Sequence, residues 1–515
     1  MKRLYDWACG CAEMLASAAL ALIAVLNLLF CTVLATDESS MFIARSGLPF
    51  LLSLALWAAL LWLLAGSRRV RGALSRLRPE AMYALCAGVY VLMAAYLMRN
   101  LYQGRIDGDV EAVYYAAKGL RQGDYTGMQM GSYISRYPHQ LGLAAAMAAV
   151  MSLGDSPAFL RMVNVALVLL TNYAVLRAAM TLPGATRATG NLAVLLAFLI
   201  VPQFLLIMYI YGNIPGLCLM LLAALALFAW LRGKSGAYAA LAAALMALAY
   251  LVRNNMIIAC IAMAIICVLA FLRTGKKRML ASAVCMLLCP LLLVQSVQTS
   301  LEDRVGLEAG HTMPSSAWMA MGMQEDGNMP GWYNNYNDYV YYTNCYDTAA
   351  VSAQALDDIH ERLYDFKKDP LMALSFYLRK IISTWCEPTF GSLVMCRIDI
   401  DADCATPLLR SLYSGGTAFT VLREAMHGLT TLIYALSALH PWLRRRNGAP
   451  RSAYAIFAQV FFLGGFLFHI LWETKSMYVL CYCVCLVPVA AQSAMMLGAL
   501  LAARREKNLL MKIKP

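Results

Sequence analysis

The stretch "AMYALCAGVYVLMAAYLM" (Ala81–Met98) is apolar and uncharged, and a few residues later it gives way to "RIDGDVEAVYYAAKGLRQGDY" (Arg105–Tyr125), where Asp107, Asp109 and Glu111 crowd together. Rising about 1.5 Å per residue as a helix, a run of this length crosses most of a hydrocarbon core roughly 30 Å thick. The two stretches read as a membrane span that ends in a cluster of carboxylates. The question they raise is why acids stand where the chain leaves a bilayer.

Apolar runs of similar length recur along the 515 residues, which are 61% hydrophobic and 14% charged, with a mean hydropathy of +0.61. A soluble chain carries about 25% charged residues. The expectation is an all-α polytopic membrane protein. The net charge of +13 does not point to nucleic acid, because the basic clusters fall between apolar runs, where cytoplasmic loops carry Lys and Arg. The N-terminal run Met14–Ala35 is longer than the apolar part of a secretory signal and reads as a retained span.

The basic clusters orient the chain. Lys2 and Arg3, "SRRVRGALSRLRPE" (Ser67–Glu80), "RGKSG" (Arg232–Gly236), "RTGKKR" (Arg273–Arg278) and "RRRNGAPR" (Arg444–Arg451) all read as cytoplasmic. The loop bearing Asp107, Asp109 and Glu111 is then extracytoplasmic. Parity gives about twelve crossings with both termini inside, and Leu141–Leu153 is too short to cross and reads as re-entrant or interfacial. The chain divides into residues 1–80, an N-terminal helix pair; 81–297, a transmembrane core with its first outer loop at 99–139; 298–415, a large extracytoplasmic region; and 416–515, C-terminal spans. Within 298–415, "VSAQALDDIHERLYDFKKD" has helical periodicity. "PLMALSFYLRKIISTW" (Pro370–Trp385) reads as an interfacial helix, with Arg379 and Lys380 near headgroups and Trp385 in the aromatic belt. Of the 16 cysteines, Cys345, Cys386, Cys396 and Cys404 fall in this region. They could pair outside the cell, and their spacing leaves the connectivity open.

After the acids, Val113, Ala116, Ala117 and Leu120 lie on one face of a short amphipathic helix, Gly123 breaks it, and Tyr137–Pro138 starts the return to the membrane. This order resembles the first outer loop of the GT-C membrane glycosyltransferases, a superfamily that includes protein O-mannosyltransferases, aminoarabinose transferases and other bacterial polyprenyl-phosphate-sugar enzymes. Asp109, Tyr114, Gly123, Tyr137 and Pro138 carry the resemblance, together with "HILWETKSMYVLCY" (His469–Tyr482). Relatives often have an Arg before the Tyr of that late motif, where Met477 stands here. The resemblance implies a GT-C-like helical bundle with interfacial helices, and transfer of a sugar from a polyprenyl-phosphate donor to a hydroxyl on an envelope lipid, polymer or protein.

Such a reaction needs a carboxylate near the acceptor hydroxyl and cations near the leaving phosphate. Asp109 is the expected base and Asp107 the alternative. Arg253, Lys475, Arg136 and His139 are the candidate phosphate ligands, with Arg105 on the other flank of the acid loop. Glu111, Tyr137, Tyr211, Asn213, Asn254 and Glu473 are the candidate substrate contacts. No cofactor is called for, although clustered carboxylates at Asp107 and Asp109 suit a divalent cation. "DGD" also fits the metal-holding motif of nucleotide-sugar enzymes, but nucleotide sugars are cytoplasmic and this loop reads as external. Plainer readings stand beside these: an Asp at a helix start is often an N-cap, and an Arg at a span end is often a snorkelling anchor. A lipid-sugar flippase or a non-catalytic polysaccharide-export subunit are the competing functions.

Overall fold

The computed structural model describes residues 1–101, 106–308, 310–325, 328–396 and 406–513, with side chains as far as 504. Arg105 and Cys404 lie outside the described residues. Hydrocarbon offers the backbone no hydrogen-bond partners, so a spanning segment must close its own bonds. The chain is accordingly a polytopic bundle of helices. Among the described residues nine helices are long and apolar enough to cross a membrane, or ten if Arg187–Phe198 and Val201–Met208 form one broken span. That pair bends by 56°. Pro202 accounts for the break, since it has no N–H and its ring would strike the carbonyl of residue 198.

The expected count of about twelve also includes two helices that fall short on length or apolarity. Ala237–Val252 has 16 residues. Thr417–Arg446 has 30, but His427, His440 and a run of small polar residues dilute its apolar character. Leu141–Met151 is an 11-residue helix, about 16 Å long, and too short to span. It packs against the loop helix Gly108–Gln122, which buries Val113, Ala116, Ala117 and Leu120 against it and ends at Gly123 in the left-handed conformation (φ 73°).

Two features depart from the sequence reading. The first apolar run does not stay helical to Ala35. The helix Lys2–Leu29 ends, and Phe30–Val33 pairs antiparallel with Phe42–Arg45, Phe30 opposite Arg45 and Val33 opposite Phe42. This hairpin docks on the polar region: Thr32 N–H donates to the Cys386 carbonyl at 2.8 Å, Thr32 Oγ1 donates to that of Ile382 at 3.1 Å, and Leu34 and Met41 pack on Trp332. The second departure is Pro370–Trp385, which does not lie in the interface with its basic residues at headgroups. Lys380 is only 1% exposed, and Trp385 packs in the core against Phe462, Phe466 and Tyr482. Arg379 pairs with Glu325. The helix has found protein partners for its polar groups and so needs no headgroups. Among the described cysteines of this region none is paired, and Cys386 and Cys396 are buried.

The loops sort by charge. At one end of the bundle Arg232 donates to the Thr181 carbonyl, Asn191 donates to those of Leu74 and Leu77, and Arg451 pairs with Asp6 and Glu13. The basic connections are thus tied to neighbouring turns and to the N-terminal helix. The acidic loop, the hairpin and the 298–415 region gather at the other end.

Candidate functional site

A cavity of about 890 Å³ opens at that second end, lined by residues from five distant segments. The loop helix contributes Asp109, its second residue. Its side chain opens on the cavity, with protein atoms crowded round the rest of it. Although the side chain is exposed to the cavity, desolvation by the surrounding protein raises the carboxyl above its ordinary value; Lys475 opposes the shift, Glu38 adds to it, and Arg253 and Tyr133 oppose it.

Arg253 follows the helix Ala237–Val252 in an extended conformation (φ −153°, ψ 106°) that turns its side chain out of the helical path. Its guanidinium lies over the rings of Tyr478 at 5.0 Å and Tyr211 at 5.7 Å. Among the described residues no carboxylate pairs with it and no side-chain hydrogen bond engages it. The "YGNIPG" segment explains how it is seated. Any Cβ at Gly212 would overlap the Val252 carbonyl oxygen, and one at Gly216 would press on the Arg253 Cβ. Glycine at both positions lets the two helices close on each other there.

Lys475 stands between the last two spans. Its Nζ donates to Glu38 Oε1 at 2.8 Å and lies 5.3 Å from the centre of the Tyr333 ring. Burial works against its charge, but Glu38 and Glu473 outweigh that and raise its pKa. Glu473 is buried and accepts a hydrogen bond from Tyr478 at 3.3 Å. Desolvation pushes it up to about 7, against Lys475. The connection that carries both residues is clamped from beneath. Lys380 Nζ donates to the carbonyls of Gly322, Ile470 and Trp472, which satisfies groups left open where the helix Ala453–Leu471 ends. Burial lowers the Lys380 pKa to about 7. Glu387 accepts from Ser476 at 2.8 Å and so fixes the start of the final helix.

The cavity thus brings together Asp109, Arg253, Lys475, Tyr137, Tyr211, Asn254 and Glu473 from the sequence-predicted set. Arg136 also lines it, but its guanidinium is taken by Asp338 and the Tyr342 hydroxyl and is stacked among Tyr137, Tyr341 and Tyr342. It ties the first loop to the 298–415 region. His139 lies against Trp318 at 5.8 Å, and burial, with Arg253, lowers its pKa to about 4. It is neutral at pH 7 and offers a hydrogen bond, not a positive charge.

Three expected contacts fall elsewhere. Asp107 and Glu111 are absent from the cavity wall: Asp107 is the extended residue that precedes the helix, and Glu111 is turned about 200° round it from Asp109. Asn213 faces a separate void of about 30 Å³ behind Arg253, with room for a water or two. Among the described residues no group of three His, Cys, Asp or Glu side chains is placed to hold a metal ion. The sequence reading missed Glu38, Tyr133, Trp318, Tyr333 and Trp472, of which all but Glu38 line the cavity. A further acid just past the first apolar run was the signal available for Glu38.

Residues 16–394 match a family described as conserved hypothetical integral membrane protein, and the chain belongs to that family. No curated protein matches it.

Proposed function

We propose that this protein is a GT-C-type glycosyltransferase, which moves a sugar from a polyprenyl-phosphate donor to a hydroxyl acceptor at the extracytoplasmic surface. One observation carries the reading. Arg253 presents a guanidinium that pairs with no carboxylate among the described residues to the same cavity as Asp109. A half-buried cation that faces a cavity without a carboxylate partner among the described residues suits an anionic ligand. The cavity's volume of about 890 Å³ lies in the range of small-molecule sites, roughly 300–1,000 Å³. Tyr137, Trp318 and Trp472 give it flat apolar faces of the kind that stack on a sugar ring. The gathering of basic loops at the opposite end supports an extracytoplasmic cavity under the positive-inside rule.

In this mechanism Asp109 accepts the proton of the acceptor hydroxyl. The hydroxyl oxygen attacks the anomeric carbon, and the bond from that carbon to the phosphate oxygen breaks with its electron pair on the phosphate. Arg253 and Lys475 hold the charge that develops there. Neutral His139 donates a hydrogen bond without adding a third positive charge. The donor's lipid tail keeps the reaction at headgroup depth, which is why the acid waits where a span ends.

The test uses purified protein in detergent with radiolabelled polyprenyl-phosphate sugar and a membrane extract as the acceptor source. Wild type should bind the donor and move label to an acceptor. Asp109→Asn keeps the size of the side chain but cannot take the proton, so it should bind the donor and lose roughly 10²–10⁴-fold in transfer. Binding without transfer by wild type would favour a flippase or an export subunit. Undiminished transfer by Asp109→Asn would remove the base from this loop.

A further inference from the structure

Arg253 and Lys475 face the same cavity but are not equally available. Lys475 already holds an anion, the Glu38 carboxylate, at 2.8 Å, with side chains 17% and 16% exposed. Glu38 comes from the tip of the N-terminal hairpin, far in sequence from the other cavity residues. The backbone of that tip is pinned: Asp37 Oδ1 accepts from Ser40 N–H at 2.8 Å and from Ser39 Oγ at 2.6 Å. The hairpin is itself anchored through Thr32 to Ile382 and Cys386. Glu38 is thus a carboxylate on a flexible side chain whose root is fixed, reaching a cation whose charge acts on both Asp109 and Glu473.

A simple brace between hairpin and bundle would not need this cation. The hairpin is already held by backbone bonds and by Leu34 and Met41 against Trp332. With side chains 17% and 16% exposed the pair is firmer than a surface ion pair, so it yields only to a stronger anion. A phosphate monoester such as farnesyl phosphate, the form in which the lipid carrier is left after sugar transfer, carries about −1.5 to −2 charges at pH 7, against one for a carboxylate or for the donor's phosphodiester, and Arg253 would engage the same group.

We propose that Glu38 is a positioning residue that acts through Lys475. It is the resident anion of the phosphate subsite, surrenders Lys475 to the phosphate group of an incoming amphiphile, and takes Lys475 back when that group leaves. Lys475 then never stands uncompensated in the empty cavity, and the bound phosphate is held less tightly than two free cations would hold it. The proposal rests on the reading of the cavity as a lipid-phosphate site, but not on sugar transfer.

The test is a titration of farnesyl phosphate into the full-length protein in detergent, followed by tryptophan fluorescence from Trp318 and Trp472 at the cavity wall, with farnesol as the control for the tail alone. Glu38→Gln should bind farnesyl phosphate roughly tenfold more tightly than wild type, and Glu38→Asp should bind much as wild type does. Lys475→Gln should weaken binding, and in that background Glu38→Gln should bring no gain. Equal or weaker binding by Glu38→Gln, with wild type binding and Lys475→Gln impaired, would overturn the role of Glu38 and leave the phosphate site standing. A gain that survives in the Lys475→Gln background would mean that Glu38 acts through the general field, and overturns the proposal too. If neither wild type nor Glu38→Gln binds farnesyl phosphate better than farnesol, the phosphate site falls and this inference with it.

Discussion

Replacing Arg253 by alanine separates a ligand-binding guanidinium from a membrane anchor, because the structure sets the two costs apart. On the stability side little is at stake. Arg253 has two aromatic contacts, with Tyr211 and Tyr478, and no carboxylate partner among the described residues. At about 0.5–1 kcal/mol each the two contacts amount to about 1–2 kcal/mol of folding stability. On the binding side the guanidinium can present two parallel N–H donors to a phosphate. Hydrogen bonds to charged groups contribute about 1.5–3 kcal/mol each, and the water in an open cavity places the pair near the bottom of that range. A loss of about 3 kcal/mol is roughly a hundredfold in Kd. Arg253→Ala should therefore bind farnesyl phosphate about a hundredfold more weakly while melting close to wild type. Arg253→Lys should recover part of the affinity, since an ammonium has the charge but not the fork. Arg136→Ala supplies the contrast. It leaves Asp338 and the Tyr342 hydroxyl without their partner, so its main effect should be a lowered melting temperature, read by thermal unfolding in detergent. Unchanged affinity in Arg253→Ala, at normal expression, would make Arg253 an anchor and withdraw the main support for an anion site.

Three other outcomes are expected. If Asp109 is the base, transfer needs it ionised, and its pKa is raised from 3.8; activity should be full at high pH and fall as pH drops through a value above 3.8, so a pH–rate profile flat down to about 4 would refute the assignment. Gly212→Ala should force the Val252 carbonyl and Arg253 apart, costing about 1–3 kcal/mol of stability as overpacking does and weakening farnesyl phosphate binding; a variant that melts and binds as wild type does would show that the close approach is dispensable. Cys345 is exposed in the 298–415 region and should react with an impermeant maleimide on intact cells, whereas Lys234→Cys, at the basic end, should react only after permeabilisation; the reverse pattern would turn the whole topology over.

The sequence made the membrane-spanning character of the chain legible because bilayer thickness imposes a length that shows directly in apolar runs. The loop helix was legible for a related reason: Val113, Ala116, Ala117 and Leu120 recur at helical spacing, and Gly123 supplies the left-handed stop. The hairpin at Phe30–Val33 was not legible. Four apolar residues that pair with a second strand look the same, in composition, as four more residues of the preceding span. Pro370–Trp385 was misread for a matching reason. An amphipathic helix with two cations suits an interface, and nothing local reveals that the carbonyls of Gly322, Ile470 and Trp472 will surround Lys380.

The same division runs through the site. In a membrane protein the polar residues that serve a ligand at headgroup depth must sit where spans end, so searching the ends of apolar runs finds Asp109, Arg253 and Lys475 without any knowledge of the fold. That search cannot rank neighbours. Asp107, Asp109 and Glu111 share a span end, and only the place where the helix starts and its rotation decide that Asp109 meets the cavity. Nor can it detect residues that arrive by docking. Glu38 reaches Lys475 across more than four hundred positions (|i−j| 437) because Thr32 and Trp332 fix the hairpin on a separate region. Trp318 and Tyr333 reach the cavity because that region packs over the open end. The two groups of residues fit different roles. Those at span ends are placed by the bilayer itself, at headgroup depth. Those brought by docking ride on the hairpin and the 298–415 region, and these are the elements through which affinity at the cavity can change without moving a span.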